Sequence, residues 1–141
     1  TERQHVLAHL AQRGQPEQAG AAFERVVRTY AAALGPDHRF TGVAVGNLAA
    51  ALHASGRLAD AEREYRRSIA ILSEVHPEAH PELGWNIGRL GMLLADALRD
   101  EEADPLLRRA HPVLLEALGP DHQRTRDVAA SLERMARRRA H

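Results

Sequence analysis

Nine histidines stand in the 141 residues, and there is no cysteine. Three of them share one spacing: His38, His80 and His122 lie forty-two residues apart. Imidazole nitrogens bind metals and carry protons near neutral pH. A metal centre needs its ligands convergent, whereas residues at one position of a regular repeat lie about a repeat apart. A loop-capping role is therefore expected for these three. His5 and His9, at i and i+4, have the spacing of two zinc ligands on one helix. No Glu follows His5 as it would in a metalloprotease helix, and no third ligand is evident. A solvated terminal helix is the expectation there, with no metal. No phosphate loop, nucleophile elbow or dinucleotide-binding glycine pattern occurs. Without a convergent acid, base or nucleophile set, neither catalysis nor a cofactor is expected.

The 19 basic residues, all Arg, balance 19 acidic ones. Nothing global points to nucleic acid or to a membrane surface. The Arg-rich end, with Arg134, Arg137, Arg138 and Arg139, is interspersed with Asp127 and Glu133 and has no stacking aromatics. It reads as a soluble cap rather than a nucleic-acid contact. Asp100-Glu101-Glu102 sits at a helix start, where negative charge meets the helix dipole favourably. No apolar run approaches the roughly 18 residues of a membrane span, and no signal peptide is visible. A cytoplasmic protein is expected. The many Ala residues and the absence of Lys suit a GC-rich genome. The chain lacks an initiator Met and begins inside a helical pattern, so it reads as a fragment of a longer protein.

The elements that carry these residues repeat. Leu34-Gly35-Pro36-Asp37-His38 recurs as Leu118-Gly119-Pro120-Asp121-His122, with the degenerate His76-Pro77-Glu78-Ala79-His80 midway. A repeat of this length, built of two helices, is a solenoid signature. Apolar periodicity predicts helices over 2–13, 17–33, 40–54, 59–75, 82–97, 101–117 and 124–140. Val6, Leu7 and Leu10 face inward in the first. Val45, Leu48, Ala49 and Leu52 face Ala61, Tyr65, Ser68, Ile69 and Leu72. One repeat later Ile87, Leu90, Gly91 and Leu94 face Ala103, Leu107, Ala110 and Leu114. Val128, Leu132 and Met135 cover the last pair. The expected architecture is all-α: a right-handed solenoid of three antiparallel helix pairs (1–33, 40–75, 82–117) and a closing helix (124–140), in one domain over 1–141. Two places break the pattern. Leu98 stands where the repeat has Gly14 and Gly56, which predicts a strained or an irregular turn. Pro112 lies inside the sixth helix and predicts a kink or a non-helical segment between Arg108 and Pro112.

The forty-two-residue unit resembles the kinesin-light-chain type of tetratricopeptide repeat. The resemblance rests on Leu34–His38, Asn47-Leu48-Ala49, Gly56-Arg57, Ala61-Glu62 and Arg66-Arg67. Ala103, Pro105-Leu106-Leu107 and Arg108-Arg109 continue it in the third repeat. It implies a non-catalytic scaffold in which the first helix of each pair lines a groove for a peptide or protein. Carried over residue by residue, that groove holds Val43, Gly46, Asn47, Ala50 and His53. Trp85, Gly88, Arg89 and Met92 follow, then Asp127, Ala130, Ser131 and Arg134. Only Asn47 matches the family's groove Asn, so an Asn ladder is not complete here. The resemblance also implies attachment to a larger signalling protein. The alternative reading is a self-association module, in which exposed faces pack against a second copy.

Trp85, the only Trp, falls off the core stripe of its helix and lines up with Arg89, Met92 and Asp96. It is expected to be partly exposed and to anchor a ligand, since Trp and Arg are enriched where binding energy concentrates. The competing reading packs it against the preceding helix pair. Gly84, Gly88 and Gly91 inside the same helix predict close helix packing, with an open groove floor beside Gly88 as the alternative.

Overall fold

The computed structural model describes residues 16–141, with side chains from residue 18 onward. The expected helix over 2–13, its inward residues and the pair His5/His9 lie outside the described residues. The described residues form six helices and no strand: α1 (Pro16–Leu34), α2 (Arg39–Ala54), α3 (Leu58–Val75), α4 (Pro81–Asp96), α5 (Asp100–Leu118) and α6 (Gln123–Arg139). The fold is an all-α helical repeat. The chain divides into two compact units, one ending at Val75 and one beginning at His76.

In the first unit α2 packs against both α1 and α3. Phe23, Val26 and Val27 of α1 are buried, as are Val45, Leu48, Ala49 and Leu52 of α2 and Ala61, Tyr65 and Leu72 of α3. Apolar side chains at spacings of three and four give each helix one face to bury, and that burial drives the packing. Ile69, expected inward, is only half-buried; Ile71 is buried instead. The reason is Gly42, which leaves room: a Cβ there would stand 2.8 Å from Ile71 Cγ2. The buried Ser68 costs little because its hydroxyl donates across to the Gly42 carbonyl at 2.7 Å.

The second unit repeats the device. Gly84 meets Val113 as Gly42 meets Ile71, with a Cβ there 2.8 Å from Val113 Cγ1. The α4 helix packs on α5 and α6, and α5 on α6. Leu83, Ile87, Leu90, Leu94, Leu107, Leu114, Val128 and Met135 are buried among them. On α6 Ser131 is also buried, and Leu132, expected inward, is half-buried. Gly88 leaves no open floor: a Cβ there would stand 2.9 Å from Val128 Cγ2 and 3.3 Å from Ala110 Cβ. It lets helices approach closely.

The non-helical segment considered between Arg108 and Pro112 does not form, and α5 is assigned as helix through both Pro105 and Pro112. Buried Ala103, Leu107, Ala110 and Leu114 straddle both prolines and hold the backbone helical. Pro112 is exposed, and so is Arg108, whose carbonyl loses its helical partner to the missing amide.

Candidate functional site

The three recurring histidines each begin a first helix. His38 Nδ1 accepts the Phe40 amide at 3.0 Å, His80 Nδ1 the Glu82 amide at 3.1 Å, and His122 Nδ1 the Arg124 amide at 3.1 Å. All three residues have extended backbone at the N-cap of α2, α4 and α6 respectively. They satisfy an amide that the first turn of a helix leaves without a partner. The forty-two-residue spacing of the sequence is thus a spacing of helix starts.

On α2, Val43, Asn47 and Ala50 are half-buried on one face. His53, one turn further, is also half-buried and packs edge-on to Tyr65, with ring centroids 6.4 Å apart. The next unit carries the register-matched residues Trp85, Arg89 and Met92 on α4, all half-buried. Arg89 lies over the indole, its guanidinium carbon 5.3 Å from the ring centroid. Its Nη2 donates to Asn86 Oδ1 at 2.8 Å, and Asn86 Nδ2 donates to the Glu82 carbonyl at 3.0 Å. On α6, Asp127 accepts from Gln123 Nε2 at 2.6 Å, and Arg134 is exposed. Ser131 is buried, 1% exposed, and its hydroxyl has no hydrogen-bond partner among the described residues. Its side chain belongs to the helix interface.

Arg124 is a residue the sequence reading passed over. From the first turn of α6 it reaches Trp85, with its guanidinium carbon 5.0 Å from the ring centroid. Arg124 is still exposed at the surface; partial desolvation lowers its proton affinity, and the nearby Glu82 carboxylate opposes that shift. A guanidinium stays charged throughout the physiological range. Trp85 therefore has two cations over its ring, one from its own helix and one from α6. Such contacts are worth about 0.5–1 kcal/mol each at an exposed site. The signal available in the sequence was register: Phe40, Glu82 and Arg124 each stand two residues past a capping His.

Among the described residues no three His, Cys, Asp or Glu side chains are grouped to hold a metal ion. No helix among them is long and apolar enough to cross a membrane. A tetratricopeptide repeat model matches residues 5–74, and a second matches residues 87–124. The chain is a tetratricopeptide repeat protein. Among solved structures this repeat protein is similar to the kinesin light chain nearly identical TPR-like repeats of Podosopora anserina, with a TM-score of 0.79 and 26% identity. The likeness covers 96% of this chain, which spans 64% of the length of that one. No curated protein matches. Tetratricopeptide repeats generally mediate protein–protein contacts and are typically non-catalytic scaffolds.

Proposed function

We propose that this tetratricopeptide repeat domain is a non-catalytic scaffold that binds a peptide or protein partner on the faces of its first helices, α2, α4 and α6. The observation that carries the reading is Trp85. The chain's only indole is left half-buried on α4 and braced by Arg89 and Arg124 rather than sealed in the core. A rigid aromatic flanked by guanidinium groups offers a partner apolar area and directed hydrogen bonds together. Val43, Asn47, Ala50 and His53 make up the corresponding face of α2 in the first unit, and in the second unit Met92 on α4 and Asp127 and Arg134 on α6 accompany Trp85. The repeat division into helix pairs and a closing helix belongs to the same reading. So do a cytoplasmic setting, attachment to a larger signalling protein, and the absence of nucleic-acid, membrane or cofactor binding.

A displayed peptide library selected on the domain supplies a ligand for titration calorimetry. Trp85→Ala is expected to weaken that ligand by about thirtyfold, the loss of a hot spot of about 2 kcal/mol, with helix content unchanged. Equal affinity in the variant overturns the assignment. The second reading, self-association, is favoured by exposed Leu34, Phe40, Val75, Leu98 and Leu115. Sedimentation over a dilution series separates the two, because a dimer persisting at nanomolar concentration supports self-association.

A further inference from the structure

Two histidines cap the helices that carry Trp85 and Arg124, and a third contacts Glu82. His76 Nε2 lies 3.0 Å from Glu82 Oε1. The His76 ring stacks on His80, with centroids 3.6 Å apart and planes 6° from parallel. His80 Nδ1 caps α4 through the Glu82 amide, and His122 Nδ1 caps α6 through the Arg124 amide. The guanidinium of that same Arg124 covers Trp85. Glu82, gripped by His76, is also the carboxylate whose field acts on Arg124. Of the two residues that the caps hold, Arg124 thus covers the indole and Glu82 acts on Arg124.

Each cap bond needs an imidazole nitrogen with a free lone pair. A protonated ring carries hydrogen on both nitrogens and cannot accept. It also places a positive charge against the positive end of the helix dipole. For His80 there is a second penalty. A cation on it faces the His76 ring at 3.6 Å, and two stacked imidazolium rings repel.

We propose that protonation of His80 and His122 uncaps α4 and α6 and loosens Arg124 from Trp85, so that the indole is covered at alkaline pH and opens as the pH falls. His80 meets the His76 ring and the Glu82 amide, and two residues before it Glu78 pairs with Arg109 of α5 at 3.1 Å. Asp121 and Arg124 flank His122 along the chain, α4 contributes Glu82 beside Arg124, and α5 meets the turn through the uncharged Leu114 carbonyl, which accepts the Thr125 hydroxyl at 3.3 Å. What the opening regulates rests on the binding role proposed above; the opening itself does not.

Because Trp85 is the only Trp, its fluorescence reports on this device in the whole chain with no ligand present. A failed test therefore leaves the binding role standing, and a failed binding role leaves this test intact. The expected result is a red shift and stronger acrylamide quenching as the pH falls through the histidine range, about pH 8 to 5. Asn caps a helix at any pH, so His80→Asn with His122→Asn should abolish the transition. His38→Asn, which alters the cap of α2, should leave it in place. Amide resonances of Glu82 and Arg124 in the unmutated chain should titrate together with the indole N–H. A pH-independent indole, a transition that survives in the double variant, or one that coincides with cooperative unfolding by circular dichroism would overturn the proposal. So would amide resonances that do not follow the indole.

Discussion

Leu98 adopts the backbone that Gly56 adopts one repeat earlier, with φ of 62° against 80°. The surrounding bonds coincide. Gly56 N–H donates to the His53 carbonyl at 3.0 Å and Leu98 N–H to the Ala95 carbonyl at 3.0 Å. Arg57 and Arg99 each donate back into the preceding helix, to Leu52 at 3.0 Å and to Leu94 at 2.8 Å. Even the following ion pair is kept, Arg57–Asp60 and Arg99–Glu102, both at i,i+3. The turn is a property of the repeat, and Leu98 is strained into it. The irregular turn considered from the sequence does not form.

That strain is removable. Leu98 is 73% exposed, so its side chain contributes little packing. A left-handed conformation costs a non-glycine residue about 1–2 kcal/mol, partly offset by the greater freedom of Gly in the unfolded chain. Leu98→Gly should raise stability by roughly 0.5–1 kcal/mol, read as a higher urea midpoint with an unchanged slope.

Two helical glycines should respond oppositely to Ala. A Cβ on Gly91 would stand 2.8 Å from Leu107 Cγ and 3.3 Å from the Leu107 backbone nitrogen. Overpacking of about 1–3 kcal/mol exceeds the propensity gain of about 1 kcal/mol, so Gly91→Ala should destabilise. At Gly20 the nearest atom to such a Cβ is Ala51 Cβ at 4.0 Å. Gly20→Ala should stabilise by up to about 1 kcal/mol. Thermal unfolding of the two variants side by side checks the sign of each.

Arg138 fastens the end of α6 to the α4–α5 turn. Its Nη2 lies 2.7 Å from Asp100 Oδ1 and 3.4 Å from the Ala95 carbonyl oxygen. Both side chains of the pair are partly exposed, so the coupling should be small, about 0.2–1 kcal/mol. A double-mutant cycle with Arg138→Ala and Asp100→Ala measures it, and the coupling should shrink in high salt.

The cap of α2 gives the cleanest test of the histidine register. His38→Ala leaves the Phe40 amide without its acceptor and should cost about 1 kcal/mol. His38→Asn restores an acceptor and should recover most of that loss in the same denaturation assay.

Much of the helical layout is legible in the residues alone. Helix positions follow from apolar spacing, and the boundaries from Pro, Gly and His at fixed offsets, because these are short-range effects of backbone sterics and of one buried face. The capping role expected of the histidines rests on the same local logic. Other features depended on packing. Pro112 reads locally as a break, yet a buried stripe on both sides of it keeps α5 continuous. Ile69 and Leu132 fit the periodicity, but Gly42 draws Ile71 inward and the α6 interface takes Ser131. The partnership of Arg124 with Trp85 joins residues thirty-nine apart and is set by how α6 lies on α4. A spacing of residues within one helix fixes its own face, whereas a contact between faces exists only once the helices have packed.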